Sequence, residues 1–219
     1  PASIEQSSGA LSYTAMTAVV AIVGPTAVAA FGISSRLNSF VFLLAIGIGM
    51  GVETAVGQNL GAGEAFRAKR VVFMAVAILV STYLVFTAIA VTFAEPIVSV
   101  FIQGEGATEV VEIGTRFLYI VAPTWAAMGV FHLVKGCFNG AGSTRAAMLF
   151  SVFAVWGLQV LPGYVLVEFL GWGTDGAWWA IAFMHVGAAV IVTAWFATGS
   201  WTDKVVDEDE EAPVAAPAD

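Results

Sequence analysis

One carboxylate, Glu53, lies inside a long apolar stretch of the sequence. On a helix, Gly49 and Gly57 share its face, and small residues mark the faces on which membrane helices approach each other closely. A carboxylate held there can bind a proton or a cation, because charges at such depth usually face a protein interior or an aqueous cavity. The alternative is a carboxylate near the end of its helix that reaches water or pairs with Arg67 or Arg70.

A second polar group consists of His132 and Lys135, three residues apart, with Gly129, Gly136 and Asn139 on roughly the same helical face. A histidine there can carry a proton near physiological pH, and a lysine can exclude or exchange with a cation. The structural alternative is a hydrogen-bonded histidine and a lysine that extends to the membrane surface. Glu53, His132 and Lys135 are the predicted cavity or coupling residues.

Two prolines, Pro123 and Pro162, lie in the middle of apolar stretches. Proline removes a backbone hydrogen bond and predicts a helix kink, which favours a protein that moves over a rigid anchor. His185 stands alone among apolar neighbours and is interpreted as an interhelical hydrogen-bond partner.

The composition excludes several classes of protein. Of 219 residues, 59% are hydrophobic and 11% charged, with a mean hydropathy of +0.89, far from an ordinary soluble domain. The net charge of −8 excludes a nucleic-acid surface. The single Cys137 excludes an internal disulfide, no metal-ligand spacing occurs, and no catalytic motif is present, so neither an enzyme nor a metal or organic cofactor is expected.

The apolar stretches predict an all-α polytopic membrane protein, because lipid requires each backbone polar group to be satisfied within the protein. Residues 1–200 form a predicted transmembrane unit, and 201–219 form a predicted acidic, disordered cytoplasmic tail. The six predicted spans are 8–31, 37–57, 71–94, 113–136, 146–169 and 176–198.

Basic residues predict the orientation, because Lys and Arg are retained on the cytoplasmic side. Six of them fall on one side, at positions 67, 69, 70, 135, 145 and 204, whereas Arg36 and Arg116 fall on the other. Both ends of the chain are therefore predicted to be cytoplasmic. Two similar stretches on that side, NLGAG at 59–63 and NGAG at 139–142, predict tight inter-helix turns, with an internal repeat or an anion-binding loop as alternatives.

Several motifs together resemble the multidrug and toxic compound extrusion (MATE) family. They are GPTAVAAFGISSR at 24–36, VGQNLGAG at 56–63, RAKR at 67–70 and NGAGSTR at 139–145. The resemblance implies a twelve-helix antiporter with two lobes, exporting amphipathic or cationic organic compounds in exchange for H⁺ or Na⁺ by alternating access. Residues 1–200 would be its carboxy-terminal six-helix lobe, so the chain looks like a cut from a longer gene.

The sequence also departs from part of that family. The position of the coupling acid that NorM-type members carry in the seventh helix falls at Gly9, with Glu5 one turn earlier. Their acid in the tenth helix has no counterpart, since no acid lies between Glu112 and Glu168. DinF-type members use an Asp of the first helix, which belongs to the other lobe, so the resemblance is DinF-like rather than NorM-like.

The expected partners are a small organic substrate, a coupling cation, membrane lipid, and either a missing amino-terminal lobe or a second copy of the chain. The expected location is the cell membrane. Two other functions stay open: a lipid-linked oligosaccharide flippase of the same superfamily, and a non-transporting scaffold that recruits partners through the acidic tail.

Overall fold

The computed structural model describes residues 2–102, 106–199 and 201, and these form helices joined by short turns. The all-α prediction is confirmed. A 3₁₀ turn, Ala122–Thr124, joins α5 to α6, and π-helical segments, Ala154–Val160 and Val165–Phe169, continue the helix after α7 and after α8. The helices are α1 Ala2–Ala21, α2 Pro25–Gly61, α3 Ala65–Thr92, α4 Ala94–Ser99, α5 Ala107–Val121, α6 Trp125–Gly140, α7 Thr144–Phe153, α8 Leu161–Tyr164 and α9 Gly173–Ala197.

Within the described residues, five helical segments are long and apolar enough to cross a membrane, and the six predicted spans are not confirmed. The segments are Pro25–Gly61, Ala65–Thr92, Ala107–Gly140, Thr144–Phe169 and Gly173–Ala197. Two helices lie outside this group, the six-residue α4 and the longer α1. The 20 residues of α1 reach about 30 Å, but its first three turns contain serines, Glu5 and Gln6, which lower its hydropathy.

The first turn of the chain lies at 22–24 and not at 32–36, where the predicted first and second spans were separated. Gly24 and Pro25 provide a turn and a favourable first helical residue. The polar residues around Arg36 contain no helix breaker, so α2 continues through them and buries Ser34 completely. Arg36 therefore lies within a helix of 37 residues rather than in a loop.

The two Gly-Ala-Gly stretches form tight turns, as predicted, and both turns have the same hydrogen bonds. After α2, the N–H of Glu64 donates to Asn59 O at 2.8 Å, and after α6, the N–H of Ser143 donates to Phe138 O at 2.8 Å. Both are Schellman caps, which require a left-handed residue. Gly63 and Gly142 supply it with φ of +74° and +78°.

Helices α2 and α6 cross with their backbones in direct contact. A Cβ added to Gly136 would lie 2.7 Å from the backbone oxygen of Gly49, and one added to Gly140 would lie 2.3 Å from that of Glu53. On the α2 side, a Cβ at Gly57 would lie 3.2 Å from Gly140 O. The close-approach face that the sequence predicted around Glu53 is therefore real, and α6 is the helix that it meets.

Helix α3 joins this pair through Tyr83, which is fully buried. Its ring lies over Gly129 of α6, where an added Cβ would be 2.3 Å from a ring carbon. Its hydroxyl donates to Val41 O of α2 at 2.7 Å. The Tyr83 side chain thus links α3 to α2 and α6. Helix α6 also packs against α9.

The predicted acidic tail, 201–219, lies outside the described residues except for Trp201. That indole is buried, stacks on Phe196 with ring centroids 5.0 Å apart, and donates to Phe196 O at 3.2 Å.

We predict that Gly140→Ala lowers stability by about 1–3 kcal/mol, the usual effect of overpacking a close contact. The new methyl group would meet a backbone carbonyl, which cannot rotate away as a side chain can. Thermal unfolding of the purified protein in detergent measures the loss. Gly61→Ala is the matched control, because Gly61 also ends a helix but faces open space. Equal unfolding temperatures for the two variants would contradict the close crossing.

Candidate functional site

Three helices bring together a base, an acid and a hydroxyl at one end of the bundle. Lys135 of α6 donates to Oε1 of Glu5 in the first turns of α1, and the two side chains are 16% and 22% exposed. Ser151 Oγ of α7 lies 3.0 Å from the same carboxylate oxygen and 3.0 Å from Ala147 O. The arrangement is a partly buried ion pair with a neighbouring hydroxyl.

A second polar contact lies close by on α1. The indole N–H of Trp156 donates to Ser8 Oγ at 2.8 Å. An open groove of about 350 Å³ runs between this tryptophan and α1, lined by Ser3, Ile4, Ser7, Ser8, Leu11 and Trp156. Trp156 belongs to the π-helical segment Ala154–Val160, so the wider helical turn carries the residue that contacts α1.

His132 and Lys135 have different contact partners. His132 lies between aromatic rings, with centroids 4.6 Å from Phe42 of α2 and 4.9 Å from Phe131, both edge-to-face. Lys135 points to α1 instead. The two side chains therefore pack against different helices, although they share α6.

Glu53 lies at the α2–α6 crossing through its backbone, and its side chain is half-buried. Among the described residues, the ion pairs are Lys135 with Glu5 and Arg116 with Asp175. Glu53 thus forms no ion pair with Arg67 or Arg70 in the described residues, and both arginines are exposed at the start of α3.

Pro123 interrupts the helix between α5 and α6, and neighbouring hydroxyls satisfy the carbonyls around it. Thr87 Oγ1 of α3 donates to Ala122 O at 2.8 Å, and Thr124 Oγ1 donates to Val121 O at 2.7 Å. His185 of α9, which is 1% exposed, places Nδ1 2.8 Å from the same Thr124 oxygen. The interpretation of His185 as an interhelical hydrogen-bond partner is confirmed.

Pro162 lies in α8, between the two π-helical segments. Proline lacks the N–H that an α-helix uses at that position, and wider turns on both sides are one way in which the helix accommodates it.

No three His, Cys, Asp or Glu side chains of the described residues lie close enough together to hold a metal ion. The polar groups found here are an ion pair, hydroxyls and hydrogen-bonded histidine. Such groups bind and exchange protons or monovalent cations, and none of them provides an activated nucleophile.

The family model for MatE matches residues 1–165. The chain belongs to the MatE family. This is a family of transporters and not of enzymes, as the absence of catalytic motifs indicated.

Curated relatives are similar over most of this chain but extend well beyond it. The multidrug resistance protein NorM of Burkholderia vietnamiensis is 27% identical over 185 residues, which are 84% of this chain and 40% of the relative. The probable multidrug resistance protein YoeA of Bacillus subtilis is 26% identical over 178 residues, which are 81% of this chain and 38% of the relative. The chain thus spans about 40% of the length of these relatives.

Solved MATE structures have the same fold. An inward-facing multidrug resistance MATE family transporter of the MOP superfamily aligns with a TM-score of 0.85 at 19% identity, covering 93% of this chain and 47% of that one. The Vibrio cholerae MATE transporter VcmN in its bent form aligns with a TM-score of 0.81 at 23% identity, covering 90% and 44%. The chain is therefore a multi-pass membrane segment of the MATE type.

Glu5 is the functional candidate that sequence reasoning in this MATE chain noted but did not select. The sequence indicated Glu5 only indirectly. A lysine inside an apolar helix needs a carboxylate partner, and α1 carries Glu5 on the same helical face as Ser8 and Ser12. The sequence separation of 130 residues hid the pairing.

We predict that Thr124→Val lowers stability by about 1–3 kcal/mol, because the Val121 carbonyl and the buried His185 each lose a hydrogen-bond partner. Thermal unfolding in detergent measures the change. Thr82→Val is the matched control, since its hydroxyl donates only to Ile78 O of its own helix. If both variants unfold at the wild-type temperature, Thr124 does not link α6 to α9.

Proposed function

We propose that the full-length protein is a secondary active antiporter that exports amphipathic or cationic organic compounds in exchange for H⁺ or Na⁺. The observation that carries this proposal is the MatE family match over residues 1–165, together with relatives described as multidrug resistance proteins. The partly buried Glu5–Lys135 ion pair adds support, because alternating access needs charged groups whose binding state can bias one conformation over another.

This chain forms the second of two lobes in the proposed transporter. The fraction of each relative that it covers supports this, and so does the polar face of α1. Gln6, Ser7 and Thr14 are exposed on that face. Polar groups are costly against lipid, so we assign α1 to the wall of an aqueous cavity between the lobes, as the sixth crossing of this lobe.

Ion coupling in this proposal is DinF-like, with the principal coupling acid in the other lobe. Gly9 occupies the position where a NorM-type acid is expected in α1, and no acid lies between Glu112 and Glu168. This lobe then forms part of the wall of the cavity between the lobes and moves during alternating access. Glu53 and the Glu5–Lys135 pair are among its ionisable groups.

We propose that the transporter lies in the cell membrane with the Lys135 end of the bundle in the cytoplasm. Arg67, Lys69, Arg70 and Arg145 begin α3 and α7 at that same end. Acidic residues dominate the opposite end, where α5 and α9 begin, and the excess of bases marks the cytoplasmic side.

A transport assay tests the proposed activity. The full-length protein is reconstituted into liposomes loaded with ethidium, and an inward H⁺ or Na⁺ gradient is imposed from outside. Export that accelerates with either gradient supports the antiporter, and the effective gradient identifies the ion. Ethidium release at the rate of protein-free liposomes under both gradients would refute it.

Replacement of Glu53 by Gln is predicted to reduce export several-fold while membrane abundance stays at the wild-type level. The side chain is nearly isosteric, so the α2–α6 crossing is preserved and only the ionisable group is lost. Initial export rates and immunoblots of membranes measure the two quantities. Glu64→Gln, in the exposed turn before α3, is the control. Unchanged export would return Glu53 to a structural role.

The proposal that this chain is one of two lobes predicts the size of the native polypeptide. An antibody against 201–219 should detect a band near twice 22.8 kDa in the source membrane. A band near 22.8 kDa would mean that the chain pairs with a second copy or another partner.

A further inference from the structure

The Glu5–Lys135–Ser151 cluster has an unusual distribution of hydrogen bonds. Both the Lys135 ammonium and Ser151 Oγ approach Oε1 of Glu5, whereas Oε2 accepts no hydrogen bond from the described residues. A carboxylate offers about four acceptor positions. Glu5 therefore has acceptor positions that neither Lys135 nor Ser151 occupies.

Ser151 can serve a cation as well as an acid. A hydroxyl has one proton, and Ser151 Oγ lies 3.0 Å from both Ala147 O and Glu5 Oε1. When that proton lies on Ala147 O, Ser151 Oγ presents a lone pair beside Glu5 Oε1. Carboxylate and hydroxyl oxygens are ligands that hard metal cations accept, so Glu5 and Ser151 together offer two such oxygens.

Lys135 is able to leave that position. Its charge is a compact ammonium group on a flexible four-carbon chain, and the ion pair retains about a fifth of its surface in contact with solvent. No other acid forms an ion pair with Lys135 in the described residues. Its departure would leave Glu5 with an unpaired negative charge, which favours the entry of another cation.

We propose that Lys135 is a tethered cation that competes with free Na⁺ for the Glu5 carboxylate, with Ser151 as an additional oxygen ligand. In the wild-type protein the ammonium group holds the site, and Na⁺ binds only as Lys135 swings away. This deepens the proposed cation-coupled transport. Its test is a binding measurement. The competition can therefore be refuted while export is upheld, and it can be supported even if export is absent.

The first experiment measures binding of radioactive ²²Na⁺ to the purified full-length protein at a fixed neutral pH. We expect Lys135→Met to bind Na⁺ more tightly than the wild type by roughly tenfold or more, the scale on which a neighbouring opposite charge shifts a carboxylate equilibrium. Adding Glu5→Gln to that variant should abolish the gain. Lys69→Met, which removes an exposed lysine at the start of α3, is the matched control and should bind as the wild type does.

A second experiment avoids variants that fail to fold. Wild-type protein is treated with an amine-acetylating reagent in NaCl or in choline chloride at equal concentration, and the acetylation of Lys135 and Lys69 is compared by mass spectrometry. Na⁺ should raise the acetylation of Lys135 and leave Lys69 unchanged, because Na⁺ on Glu5 releases the ammonium group. Equal acetylation of Lys135 in both salts, or a Lys135→Met variant that binds Na⁺ no more tightly than Lys69→Met, would overturn the proposal.

Discussion

Direct backbone contact between α2 and α6 is the constraint on which the rest of the bundle depends. Lipid chains are as apolar as leucine, so membrane helices gain little from hiding apolar side chains and rely on close packing. Gly136 and Gly140 allow α6 to approach the carbonyls of α2 at distances that any side chain would prevent. With that pair fixed, α6 becomes an axis to which α3, α9 and α1 attach through Tyr83, the Thr124–His185 contact and the Lys135–Glu5 pair.

Much of the fold could be predicted because lipid limits the choices. Long apolar stretches must be helical, and Gly49 and Gly57, four residues on either side of Glu53, do mark the contact face of α2. The first turn was misplaced for a physical reason. Low hydropathy around Arg36 imitates a loop, but a helix ends where its backbone geometry is broken, and Gly24–Pro25 provides that break instead. Two of the polar residues that lower the hydropathy of α1, Glu5 and Ser8, contact other helices.

The candidate site was less predictable because helical periodicity gives the faces of a helix but not its neighbours. Lys135 was recognised as exceptional, yet its partner Glu5 lies 130 residues earlier and belongs to a helix that contacts α6 only in the folded bundle. His132 lay three residues from Lys135 and was grouped with it, but packing turns it toward Phe42 of α2. Glu53 had plausible arginine partners in the next helix, and these point outward instead.

The energetics of the Lys135–Glu5 pair favour a dynamic role over a purely structural one. Removing two charges from water is expensive, and a buried ion pair seldom stabilises a protein more than apolar residues of the same size would. Hydroxyl contacts such as Trp156 with Ser8 already attach α1 to the bundle without that cost. The pair also retains contact with solvent, and both of its protein donors approach the same carboxylate oxygen. These properties weaken it as an anchor, but they are what a carboxylate needs if it is to exchange one cation for another against the rigid background of the α2–α6 crossing.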